Sequence, residues 1–267
     1  MTDNQTVGKP VLLHFQSSGQ ASAERPDIVI LHGLFGDGDN WRGQAEKLSD
    51  RFRVHLIDLR NHGASPHTDS MSYHSMAADV ALTCDTIGIE SMHLIGHSMG
   101  GKTAMQFALD LPHRLHKLII VDIAPRQYPH HHQQIIEGLQ QIQSNHIDSR
   151  QSANKILAGY IENDGIRAFL LKNLRRQHDG SYRLRFNLDT ISGHYESIAA
   201  GVTGSGSYTG PTLFIKGANS DYLAAADQPL VQSLFPNARL KTIGGAGHWP
   251  HSEKPDVTHK IISDFLA

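Results

Sequence analysis

The run HLIGHSMGG at residues 93–101 constrains this chain more than any other stretch. An apolar segment, 92–96 (MHLIG), leads into Gly96-His97-Ser98-Met99-Gly100. A helical pattern over 99–111 follows, until Pro112 stops it. A strand that turns this sharply into a helix strains the backbone at the apex. Strand and helix then pack so closely that positions two before and two after must be small. Gly96 and Gly100 meet that need. The turn lifts the Ser98 hydroxyl above the sheet edge, near the positive end of the following helix. The five-residue pattern alone recurs by chance; the strand before it and the helix after it make it informative.

The same alternation runs along most of the chain. Short apolar runs at 27–31 (DIVIL), 54–58 (VHLID), 92–96, 117–122 (KLIIVD) and 212–216 (TLFIK) read as strands buried on both faces. A leading strand is expected at 11–16 and a last one at 238–243. Helical spacing appears at 73–87, 99–111 and 256–266. Strands alternating with helices predict an α/β fold: a mostly parallel twisted sheet flanked by helices. The pattern breaks after Asp122. Helical stretches at 133–143, 152–160, 165–174 and 188–200 follow, and the Gly/Ser-rich stretch 201–210 returns the chain to the next strand. The expected division is a core of 1–123 and 209–267 with a helical cap, 124–208, inserted into it.

Ser98 needs a base, because a serine hydroxyl is a weak nucleophile until its proton is taken. In a fold of this order the base comes late in the chain. GGAGH, 244–248, lies between the last expected strand and helix, and its small residues let His248 reach back to Ser98. His251 and His259 lack that setting. An acid must orient the imidazole. Asp122 ends a strand at the carboxyl edge of the sheet, where ligands bind in open α/β sheets. Asp221, in the loop after 212–216, and Asp189 are the alternatives; Ser220 stands one residue before Asp221. For a developing oxyanion, rigid backbone N–H donors are expected at Met99 and at Leu34, in the Gly-rich HGLFG run 32–36.

Composition narrows the function classes. The chain has 267 residues, 39% hydrophobic and 19% charged, which is enough for a sizeable core and too little charge for disorder. A formal net charge of −2 gives no basic surface for nucleic acid. No run approaches the roughly 20 apolar residues of a membrane helix. Cys84 is the single cysteine, and residues 1–10 are polar with no signal-peptide stretch. A cytoplasmic location is therefore expected. The YPHHH run, 128–132, offers imidazoles, but three consecutive residues cannot face one ion from a helix, so no metal is expected. Arg60 is expected in a structural role, with fixing the loops around the site as the alternative, and Lys102, on the helix after Ser98, has the cap or an acidic substrate open to it.

Together HGLFG (32–36), DLRNHGAS (58–65), GHSMGGK (96–102), VDIAP (121–125), KGANSDY (216–222) and GAGHWPHSEKP (245–255) resemble the YbfF-type esterases of the α/β-hydrolase superfamily. The likeness covers about 28–125 and 211–266. It implies the α/β-hydrolase fold with a small helical cap, hydrolysis of carboxylic esters, acyl-CoA thioesters included, and no cofactor. It implies Asp122 as the triad acid. It also implies an acyl pocket walled by the aromatic after the histidine, Trp249, together with Phe35. A carbon–carbon bond hydrolase or a cofactor-free haloperoxidase would use the same three residues. A non-catalytic binding protein on this fold usually loses the histidine. Ser98 argues against dehalogenase or epoxide hydrolase chemistry, which needs Asp there.

Overall fold

The computed structural model describes residues 8–22, 24–204 and 206–267, so most of the polar 1–10 start lies outside it. The first strand, β1 (Phe15–Ser18), is followed by β2 (Asp27–Leu31), helix α1 (Arg42–Leu48), β3 (Val54–Ile57), α2 (Tyr73–Thr86), β4 (Met92–His97), α3 (Met99–Asp110) and β5 (Leu115–Val121). Then come α4 (Gln133–Ser144), α5 (Arg150–Ala158), α6 (Asp164–Leu171), a hairpin of β6 (Leu174–Arg176) and β7 (Tyr182–Leu184), α7 (Leu188–Gly193) and α8 (Tyr195–Ala199). The chain closes with β8 (Thr212–Gly217), α9 (Gln228–Leu234), β9 (Ala238–Ile243), α10 (Pro250–Glu253) and α11 (Pro255–Leu266).

Seven strands form one sheet in the order β1-β3-β2-β4-β5-β8-β9. Only the β1–β3 pairing in it is antiparallel. Successive residues of β2 serve opposite faces, as the pleat demands. Val29 and Leu31 join Met76, Phe107 and Ile120 under α2 and α3. Ile28 and Ile30 join Trp41, Ala45, Ile95 and Ile262 under α1 and α11. Burial on both faces explains why β2, β3 and β4 read as continuous apolar runs. The 124–208 segment packs on the first cluster through Leu139, Leu157, Leu170 and Ile191.

Three elements differ most from the sequence reading. The leading strand starts at Phe15 rather than residue 11, because side chains take the earlier backbone donors. The N–H groups of Val11, Leu13 and His14 donate to Asp79, Thr83 and Ser65. The 165–174 helix stops at Leu171, and Leu174 opens β6, whose hairpin turns at Gly180 with φ +85°. The 188–200 helix breaks at His194, which has left the helical region at φ −111°, ψ 21°. The 201–210 stretch returns the chain to β8, as expected, and is bonded on the way: the Val202 N–H donates to Pro125 O and the Tyr208 N–H to Leu234 O. Ser205 lies outside the described residues. Among the described residues no helix is long and apolar enough to cross a membrane.

Candidate active site

The turn from β4 into α3 carries the strain that its sequence implies. Ser98 sits at φ 52°, ψ −120°, a conformation that costs a non-glycine residue on the order of 1–3 kcal/mol. Its neighbours show why glycine flanks it. A Cβ on Gly96 would fall 2.2 Å from Gly100 O, and one on Gly100 2.4 Å from His32 O. The Ser98 N–H donates to Val121 O at 3.1 Å, tying the apex to the end of β5.

Sheet order brings three distant residues together. β5 and β8 pair with Val121 opposite Ile215, so Asp122 emerges beside the loop that follows β8. β8 and β9 pair with Gly217 opposite Ile243, which sets the His248 loop next to it. The Ser98 Oγ lies 3.0 Å from His248 Nε2. His248 Nδ1 lies 2.7 Å from Asp122 Oδ2. Asp122 is fully buried at φ 53°. Its Oδ1 accepts from the Gly217 N–H at 2.9 Å, and its Oδ2 also accepts from the Ser220 hydroxyl. A buried carboxylate that accepts from three donors, with both oxygens engaged, is held in one orientation.

The His248 loop is itself fixed. The N–H groups of Gly247 and Trp249 donate to the Glu253 carboxylate at 2.7 and 3.1 Å. His97, between Gly96 and Ser98, donates from Nε2 to His248 O at 2.8 Å. Gly217 is glycine because a Cβ there would lie 1.9 Å from Gly247 O. The alternative acids lie elsewhere. Asp221 is exposed, and Asp189 accepts from Gln143 Nε2 at 3.0 Å far along the chain's inserted helices. Neither of the other late histidines meets Ser98: His251 lines the same cavity but lies buried flat against Trp41, centroids 4.2 Å apart, and His259 bonds Ser263.

On the other side of Ser98 runs the 32–36 loop. A Cβ on Gly33 would sit 3.2 Å from Ser98 Cβ, so the backbone entering Leu34 passes against the serine. Among the described residues no acceptor meets the N–H of Leu34 or Met99. Two buried histidines hold this loop. His32 donates from Nδ1 to Gly33 O and accepts the Leu59 N–H at Nε2, 2.9 Å. His62 donates from Nδ1 to Arg60 O and accepts the Phe35 N–H at Nε2, 3.2 Å. Both roles need a neutral ring with one lone pair. Burial supplies it by lowering both rings, His62 to about 3. Phe35 itself takes φ 60°, and Asn173 of the inserted segment donates to its carbonyl at 2.6 Å. Arg60 forms a buried two-pronged pair with Asp79, which pins the 58–65 loop to α2.

A cavity of about 290 Å³ opens above Ser98 and His248. Leu34, Phe35, Ile135, Ile166, Phe169 and Trp249 line it, so its wall is mostly apolar. Lys102 lies beneath a small annex beside Met99. Its ammonium donates to Ala199 O at 3.2 Å and to Ala200 O, the carbonyl end of α8. Burial, reinforced by the Arg126 charge, pushes it down to about 7. The sequence reading left this role open between cap and substrate.

Of the three imidazoles of 130–132, those of His131 and His132 lie with centroids 4.2 Å apart, but each of the three has its own partner. His130 faces Glu196, His131 bonds the Tyr222 hydroxyl at 2.6 Å and His132 bonds the Tyr195 hydroxyl at 2.6 Å. Among the described residues no group of three metal-ligating side chains converges. Sequence reasoning missed Ser220, His97 and Tyr222. Ser220 was legible only as a gap beside Asp221, and His97 only as a free position within the motif.

Known proteins share this fold. The sn-1-specific diacylglycerol lipase ABHD11 of Mus musculus is 38% identical over 92% of this chain and 82% of its own length. Esterase YbfF of Escherichia coli (strain K12) is 36% identical over 90% of this chain and 92% of its own. The solved structure of a marine microorganism esterase superposes with a TM-score of 0.90 at 42% identity, covering 95% of this chain and 99% of that one. Residues 26–255 match the family described as alpha/beta hydrolase fold, and the chain belongs to that family.

Proposed function

We propose that this protein hydrolyses carboxylic esters of small to medium acyl groups by two-step acyl transfer. Ser98 attacks the ester carbonyl while His248 takes its proton, and Asp122 steadies the imidazolium. The Leu34 and Met99 amides receive the oxyanion. His248 then protonates the leaving alcohol, and water, deprotonated by the same imidazole, releases the acid from Ser98. The observation that carries this reading is the unbroken Ser98–His248–Asp122 chain of contacts at 3.0 and 2.7 Å, at the floor of an apolar cavity. Relatives named as an esterase and a diacylglycerol lipase support an ester substrate.

Phe35 and Trp249 wall the acyl side of the cavity, and acyl-CoA thioesters fall within the same chemistry. Residues 1–123 and 209–267 act as the hydrolase core, and 124–208 as a cap that supplies Ile135, Ile166 and Phe169 to the cavity. No cofactor enters the mechanism. A reducing, cytoplasmic setting accords with the single, buried Cys84, whose thiol burial pushes up to about 12.

The test is Ser98→Ala assayed on p-nitrophenyl acetate and butyrate. Turnover is expected to fall by about 10³ or more, with unchanged circular dichroism. Full activity in that variant would refute the assignment.

A further inference from the structure

One side of the His248 imidazole is covered by an aromatic ring that the reaction as written does not use. The rings of Tyr222 and His248 stack with centroids 3.8 Å apart and planes 21° from parallel. We propose that Tyr222 is a positioning residue for the base: its ring face holds the His248 imidazole in line with Ser98 and Asp122 and stabilises the imidazolium that forms when the Ser98 proton moves to Nε2. This inference rests on the reading of His248 as the base.

Tyr222 is placed too firmly for an accidental neighbour. Its hydroxyl donates to His131 Nε2 at 2.6 Å; His131 Nδ1 donates to Pro129 O, which leaves Nε2 as the acceptor. Its carbonyl accepts the Ala124 N–H at 3.1 Å and the Tyr128 hydroxyl. Its own N–H reaches the Ser220 hydroxyl oxygen at 3.3 Å, and Ser220 in turn donates to Asp122. One short loop after β8 therefore holds both partners of the proton relay: the carboxylate edge-on and the imidazole face-on.

The electrostatics point the same way. An aromatic face carries negative quadrupole density and attracts a cation centred above it. Burial pushes the Tyr222 phenol up, so the ring stays neutral. The other titratable groups facing His248 are His97, His132 and His251, besides Asp122, and burial holds all three of those imidazoles well below their ordinary value. A proton arriving on His248 meets the Asp122 carboxylate and the Tyr222 face, with no cation opposing it from these neighbours. An aliphatic side chain at 222 would fill the space and offer no such face.

The experiment follows the His248 imidazole by ¹H–¹³C NMR pH titration of the full chain, its signal identified by its loss in His248→Gln. No substrate is needed, so the outcome stands apart from the Ser98→Ala activity test. Tyr222→Leu and Tyr222→Gln should each lower the His248 pKa by about half a unit, and Tyr222→Phe, which keeps the face, should leave it in place. Using two face-removing variants keeps the test available if one of them fails to fold. An unchanged His248 pKa in a folded face-removing variant overturns the proposal. So does a Tyr222→Phe shift as large as that of Tyr222→Leu, because the hydroxyl tether alone would then account for it.

Discussion

Lowering the pH from 7 to 5 should unfold this protein or bring it close to unfolding. His62, His93, His97 and His251 are all buried, and burial is the first cause of each lowered value: about 3 for His62 and His251, about 4 for His93, and well below ordinary for His97. In the unfolded chain each returns to about 6.5. The unfolded state then binds more protons between those values, so stability is fully present above pH 6.5 and lost as the pH falls. Each unit of pH below 6.5 costs about 1.4 kcal/mol per such histidine, or about 2 kcal/mol each by pH 5. Four of them remove several kcal/mol, comparable with the 5–15 kcal/mol that holds a typical domain together. Urea unfolding at pH 7.5, 6.5, 5.5 and 5.0, followed by tryptophan fluorescence, measures the loss. Protons taken up on unfolding at pH 5 should number at least five, because His132, also lowered to about 3 by burial, joins these four, and the slope against pH reports them. Equal stability at pH 7.5 and 5.0 would mean that these rings are charged or hydrated in the folded state, and the reasoning would fail.

Two substitutions test the site directly. Asp122→Asn should lower kcat by about 10³–10⁴, since an amide offers one acceptor oxygen to three donors and favours the wrong His248 tautomer. Asp221→Asn, on an exposed side chain, should leave turnover on p-nitrophenyl butyrate unchanged; the opposite pattern would reassign the acid. Gly100→Ala drives a Cβ against the Leu31 and His32 carbonyls, at 2.5 and 2.4 Å. Overpacking there should cost about 1–3 kcal/mol in thermal or urea unfolding. Displacing the 33–34 amides from Ser98 should lower kcat on the order of a hundredfold.

Much of the fold was legible before any coordinates. Strands buried on both faces lose polar alternation, so β2, β4, β5 and β8 stood out within a residue or two. The Ser98 turn was legible because two glycines bracket it for steric reasons that no other residue satisfies. The 11–14 backbone looked like a strand because propensity cannot register that Asp79, Thr83 and Ser65 take its donors. The β6–β7 hairpin was hidden because each strand is three residues long and mostly unburied, too short for a period to show.

By itself the sequence determined which chemistry was available: a hydroxyl on a strained turn, a late histidine among small residues, and a short choice of carboxylates. These are local properties, fixed by residue type and near neighbours. Only the tertiary structure decided between Asp122 and Asp221 as the partner of His248. That choice depends on the pairing of β5 with β8 and of β8 with β9, which turns one carboxylate inward to three donors and leaves the other in solvent. The Tyr222 stack and the neutral histidines behind the 32–36 loop likewise arise where segments far apart in the chain meet, because burial and stacking are properties of assembled neighbours.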